Sequence, residues 1–152
     1  MTDNPFTDAE RRARIVQQAR EQTGIDEIMI EQLVRGFYAR VREDSLLGPI
    51  FNARIHDWEP HMQRLCAFWS SVVLSSGVYQ GQPMRMHLPL PVDAQHFDHW
   101  LHLFEQTARE LFSEPVALHF IERARRIARS LEMGIATSQG VLLAPGERYK
   151  RA

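Results

Sequence analysis

Apolar residues spaced three and four apart recur along almost the whole chain, and no strand pattern stands out against them. That feature restricts the fold to packed helices, because a turn of 3.6 residues gathers only such spacings on one face. From Asp26 to about Glu43 the face is Ile30, Leu33, Val34, Phe37, Tyr38 and Val41. Asp57 to about Ser75 carries Trp58, His61, Leu65, Phe68, Trp69, Val72 and Val73. Pro60 suits a first turn there, where its missing N–H costs little. Asp93 caps a helix to about Phe112, with Phe97, Trp100, Leu101, Phe104, Ala108 and Leu111 as its stripe. Glu114 to Ile135 adds Val116, Phe120, Ile121, Ala124, Ile127, Ala128 and Leu131. The charged segment from Asp8 to Glu21 has only Ile15, Val16 and Ala19, and reads as a lightly packed helix. Gly24 separates it from the next helix, which Thr23 or Asp26 can cap.

Two interruptions matter. Gly48 and Pro49 break the long helix and leave Phe51 on a short helical turn. The segment 77–91 is crowded with Gly77, Gly81, Pro83, Pro89 and Pro91, yet it holds Met84, Met86, Leu88 and Leu90. It reads as a short turn held against something apolar, with His87 in its middle. The sum is an all-α chain of five to six helices without a repeat or an internal linker. Residues 1–24 read as an N-terminal extension, 25–136 as the domain and 137–152 as a flexible tail, where two glycines, a proline and a basic end favour fraying.

Composition narrows the class. An apolar share of 44% and a charged share of 24% are ordinary globular usage and exclude a mostly disordered chain. Eighteen basic against nineteen acidic residues argue against a nucleic-acid partner. The single cysteine, Cys66, excludes an intramolecular disulfide and a cysteine-based zinc cluster. The longest mainly apolar stretch, Cys66 to Leu74, is far short of the ~18 residues of a membrane span. The polar start, Met1 to Pro5, lacks the apolar core of a signal peptide, so the expected setting is cytoplasmic.

Seven histidines are the chemical clue. His96, His99 and His102 stand three apart, but at ~100° per residue they fan over ~120°, too wide for easy convergence on one ion. His99 and His102 are expected to face solvent, with His96 flanking the stripe. His61 shares a face with Trp58, Leu65 and Phe68, and His87 sits in the apolar turn. Each alone reads as a hydrogen-bonded core histidine or as a group aimed at a ligand. Together they bracket a cavity of the sort a porphyrin needs: one neutral imidazole nitrogen for iron, apolar walls and a few polar groups.

The ordered motifs resemble the group III, or P-type, truncated haemoglobins. They are Phe37-Tyr38-Ala39-Arg40-Val41-Arg42, Leu47-Gly48-Pro49-Ile50-Phe51, Trp58-Glu59-Pro60-His61 and Phe68-Trp69. The run from Gly77 to His87, then His96-Phe97-Asp98-His99-Trp100-Leu101 and Arg123-Ala124-Arg125-Arg126-Ile127-Ala128, complete the series. The likeness spans about Ile25 to Leu131, and the Gly-Gly pairs typical of the other truncated groups are missing. The resemblance implies a truncated globin domain, a two-over-two helical sandwich around haem b. It implies His87 as the iron ligand, with Tyr38, His61 and Trp100 on the ligand side. Phe51 would pack on the porphyrin, Leu65 and Phe68 would wall the distal side, and Arg85 would meet a propionate. The second ring nitrogen of His87 is expected to donate to a carbonyl or carboxylate. His61 either adds a donor, binds the iron or swings as a gate.

The function implied is binding of O2, NO, CO or other small ligands at a pentacoordinate iron in a monomer. Oxygen transport belongs to the same vocabulary, though tight distal donors disfavour it. Nitric oxide dioxygenase or peroxidase-like turnover would need an external electron donor. The rivals are a haem-based gas or redox sensor acting through a partner, and a haemless helical interaction domain.

Overall fold

In the computed structural model, which describes residues 6–79 and 81–152, every regular element is a helix. The polar start at Met1 to Pro5, and Gln80 of the run before His87, lie outside the described residues. The elements are α1 (Asp8–Thr23), α2 (Glu27–Glu43), α3 (Gly48–Arg54), α4 (Trp58–Leu74), α5 (Pro83–His87), α6 (Ala94–Leu111) and α7 (Glu114–Ser138). They number seven among the described residues rather than five to six, because both short turns close into helical hydrogen bonding. No helix among them is long and apolar enough to cross a membrane.

The chain divides into two compact units, Met1–Arg35 with Asp57–Gln80 and Gly36–His56 with Gly81–Ala152. The first holds α1, the start of α2 and α4. Asp26, not Thr23, caps α2: its Oδ1 accepts the Met29 N–H at 2.9 Å. Thr23 instead donates back to the Ala19 carbonyl at 2.7 Å. Arg35 forks onto the Glu59 carboxylate at 3.0 and 2.7 Å, tying α2 to α4. Ser70, buried on α4, donates to Glu27 at 2.9 Å, so the Ser76 hydroxyl 2.8 Å away is left to donate to Ser70.

Along α4 the apolar residues fall on two faces. Met62, Trp69, Val73 and Leu74 are buried, whereas Trp58, His61, Leu65, Phe68 and Val72 are half-buried. The sequence pattern merges these faces, because both are apolar and they adjoin. Cys66 is half-buried; burial pushes its thiol above the ordinary range, and the Glu31 carboxylate adds to this. It is a packed thiol rather than an activated one.

The second unit is built on the pairing of α6 with α7, against which the end of α2 packs its aromatic face. Phe37 meets Trp100 and Phe104 edge-on at 5.2 Å each, and Trp100 stacks on Phe104 at 5.5 Å. All six stripe residues of α2 are buried. Leu111, expected in the α6 stripe, is 44% exposed because the helix ends there. His99 does not simply face solvent: its Nε2 meets Asp44 Oδ1 at 2.6 Å. Asp44 Oδ2 also accepts the Leu46 and Leu47 N–H groups ahead of α3. Where a flexible tail is expected, residues 139–152 return along α6 and α7, and Tyr149 is buried. Gly140 and Gly146, at φ +80° each, supply the turns that bring the chain back.

Candidate functional site

α5 is only five residues long, begins with Pro83 at its first position and has no side-chain cap at Gln82. A helix this short does not hold itself together, since nucleation is costly and few bonds repay it. Its support comes from α7. Met84 packs where a Cβ on Gly134 would overlap its Sδ and Cε, so the glycine is the seat that admits the thioether. Gly134 costs α7 about 1 kcal/mol against alanine, and close approach of α5 is what it permits.

The result is a fixed imidazole. His87 Nδ1 lies 2.6 Å from the Pro83 carbonyl. A carbonyl oxygen only accepts, so Nδ1 carries the proton and Nε2 keeps its lone pair. Burial pushes the His87 ring below its ordinary value, against the opposing pull of the Pro83 bond. The ring is therefore neutral at neutral pH.

His87 lines a cavity of about 60 Å3 within the second unit. Tyr38, Phe51 and Trp100 line it too, so four residues singled out from sequence meet at one place. The Tyr38 hydroxyl is pushed up to about 12 by burial, and the Trp100 indole N–H that donates to it opposes the rise. Tyr38 is thus a neutral O–H at physiological pH. Phe51 lies 6.1 Å from the Tyr38 ring, edge to face. The remaining wall is mainly apolar, with Leu47, Leu90, Val92, Phe97, Ile127, Ala128 and Leu131.

His96 is the lining residue that the sequence reading set aside. Its Nδ1 accepts the Asp93 N–H at 3.1 Å, closing a capping box at the start of α6. The available signal was its i, i+4 relation to Trp100, which puts both on one side of α6. Arg85 is exposed on α5 and is not among the cavity residues. His61, Leu65 and Phe68 belong to the other unit, on the half-buried face of α4, where His61 meets Trp58 edge-on at 5.7 Å. The trio His96, His99 and His102 does not converge: His96 turns to Asp93 and His99 to Asp44, with the His102 ring stacked 6.4 Å from that of His99.

The donor chemistry suits a haem iron: a neutral imidazole with one free lone pair, set beside an apolar wall that carries the Tyr38 hydroxyl and the Trp100 N–H bonded to it. The cavity, which opens to the surface, has room for a few waters, less than a tetrapyrrole needs. The fit therefore rests on the imidazole and the wall, not on the cavity volume.

A family model described as bacterial-like globin matches residues 18–131. The group 3 truncated haemoglobin of Campylobacter jejuni is 38% identical over 109 residues, covering 68% of this chain and 86% of that protein. The crystal structure of the group III truncated haemoglobin from Campylobacter jejuni matches with a TM-score of 0.67 at 36% identity, over 71% of this chain and 89% of that one. The haemoglobin of the thermophilic phototroph Chloroflexus aurantiacus matches with a TM-score of 0.62 at 25% identity, over 74% and 95%.

Proposed function

The chain belongs to the bacterial-like globin family, with the group III truncated haemoglobins; from that premise we propose that it holds haem b through His87 and binds small diatomic ligands beside Tyr38 and Trp100. Family membership implies haem-based ligand binding. The assignment of these residues is our own, and the observation that carries it is the 2.6 Å bond from His87 Nδ1 to the Pro83 carbonyl. That bond leaves Nε2 as the unprotonated nitrogen of a neutral ring on the cavity wall. With one cysteine in the chain, a Cys-x-x-Cys-His thioether attachment is impossible, which supports a non-covalent b-type group.

Haem iron supplies an open coordination position for O2, CO or NO and one-electron redox chemistry. Tyr38 supplies an O–H that stabilises negative charge in the cavity, worth roughly 1–3 kcal/mol when desolvated, and the Trp100 N–H that donates to its oxygen polarises that O–H. Phe51, Leu47, Val92 and Phe97 surround that hydroxyl with apolar surface. We assign His61, Leu65 and Phe68 to the ligand side and Arg85 to a propionate, on the family resemblance. The reading extends to a monomer that turns over nitric oxide with O2, or runs a peroxidase-like reaction, drawing electrons from an external donor.

The test is spectroscopic. Hemin added to the purified full chain should give a Soret band that survives gel filtration and is lost in His87→Ala. A wild-type chain that emerges pale overturns the proposal. Stopped-flow mixing of the oxygenated protein with nitric oxide should give ferric haem and nitrate; their absence removes the dioxygenase extension alone.

A further inference from the structure

The family match stops at residue 131, yet residues beyond it are hydrogen-bonded to α6 and α7 beside the cavity wall. Gly140 and Gly146 reverse the chain, and the returning strap, 141–152, meets α6 and α7 in three ways. Tyr149, 4% exposed, sits in one apolar cluster with Val92, Phe97, Ala128, Ile135 and Ala136. Its carbonyl accepts the Ala94 N–H at 2.9 Å, satisfying a first-turn donor of α6 that has no partner within the helix. Arg151 N–H donates to Asp93 Oδ2 at 3.2 Å.

The third kind of contact, after apolar packing and backbone hydrogen bonds, is ionic. Arg148 forks onto Glu132, Nε to Oε2 at 2.9 Å and Nη2 to Oε1 at 2.7 Å, and Nη2 also reaches Asp98 Oδ1 at 2.7 Å. The Glu132 side chain is 7% exposed, and a carboxylate that deep requires a paired cation. Arg148 is that cation among the described residues, and it bridges α7 to α6.

Val92, Phe97 and Ala128 belong both to the cluster around Tyr149 and to the wall of the ligand cavity. Phe97 and Ala128 also line a groove whose far side is the strap, at Leu143 to Arg148. One layer of side chains thus separates the strap from the cavity.

We propose that the strap is a positioning element of the ligand cavity, and that Arg148 is its positioning residue. By holding Asp98 to Glu132 it fixes the opening turns of α6 from the outer face, and those turns present His96, Phe97 and Trp100 on the opposite side. Loss of the fork frees those turns, and the Trp100 donor loses its set orientation toward Tyr38. The inference deepens the haem reading and rests on it for its ligand measurements.

Arg148→Ala and Arg148→Lys in the full chain test it. Amide hydrogen exchange at residues 92–100, measured without haem, should rise in Arg148→Ala while circular dichroism keeps its helical signal. In the reduced, CO-loaded protein the C–O stretching band should shift or broaden, and CO dissociation should change by roughly 2- to 30-fold. Arg148→Lys, which keeps the charge and loses the fork, should fall between. An unmoved C–O band in Arg148→Ala overturns the proposal, even if exchange rises, because the strap is then only a structural clamp. Should Arg148→Ala fail to fold, Arg148→Lys decides by the same two measurements. A wild-type chain that retains no hemin defeats the haem reading, and exchange at 92–100 then decides whether Arg148 holds the opening turns of α6.

Discussion

α1 and α5 are the two helices that bury no residue fully, and they stand for opposite reasons. α1 has 16 residues and carries its own instructions. The Thr7 hydroxyl accepts the Glu10 N–H at 3.1 Å, and the Glu10 carboxylate accepts the Thr7 N–H at 2.8 Å. Gly24, at φ +74°, closes the far end through a bond to the Arg20 carbonyl. α5 has five residues, no capping side chain and an apolar seat on α7 instead. A locally specified helix tolerates changes elsewhere. A helix held by one seat passes any change at that seat to the residue it carries, here His87.

The widest gap between the two should open at Gly134. Gly134→Val overlaps Met84, and we expect a loss of about 1–3 kcal/mol in urea unfolding. Hemin should also transfer faster to a scavenger protein. Trimming the overlapping side chain in Gly134→Val/Met84→Ala should recover part of both; no recovery would show that the seat acts through something other than Met84. Thr7→Ala is the matching cut in α1. It should cost about 1 kcal/mol and leave hemin transfer unchanged, and any change there would break the contrast.

Asp44 lies between the two cases, with local bonds from Leu46 and Leu47 and a distant one from His99. Burial pushes its carboxyl up, but the bonds from His99 and from the backbone outweigh this and hold it below the ordinary value. A carboxyl lowered in the folded state adds stability that is present above the unfolded value, about 3.9, and is lost as pH falls through the folded one. Asp44→Asn should therefore flatten the acid limb of stability below about pH 4. An unchanged limb would mean that neither the His99 contact nor the Leu46 and Leu47 bonds persist in solution. The smallest effect is expected at Arg12, an exposed side chain bonded to the Ser75 carbonyl at 2.7 Å. Arg12→Ala should stay within about 0.5 kcal/mol of wild type in the same unfolding assay.

Much of this was legible beforehand. The six apolar residues of α2 form its buried stripe, and Asp93 caps α6 as its position suggests. Tyr38, Phe51, His87 and Trp100 meet in one cavity. α4 was legible only in part, since two adjoining apolar faces give one broad periodic signal and burial alone separates them. Gly134 was not legible, because a glycine inside a helical pattern reads as a cost, and its reason, Met84, lies fifty positions back along the chain. Arg148 was hidden for the same reason: a basic tail looks solvated until a buried carboxylate is found beside it.

By itself the sequence determined where the long helices run, the Asp93 cap of α6 and the residue types available to the site. Those properties depend on neighbours within about four positions, and periodicity records them. The tertiary structure decided which imidazole nitrogen is left bare, which side of α6 walls the cavity and where the tail is fastened. The Pro83 carbonyl is four residues from His87, but it comes within reach only once α7 holds α5 coiled. Such choices are set by burial and by partners remote in the chain, for which local spacing carries no record.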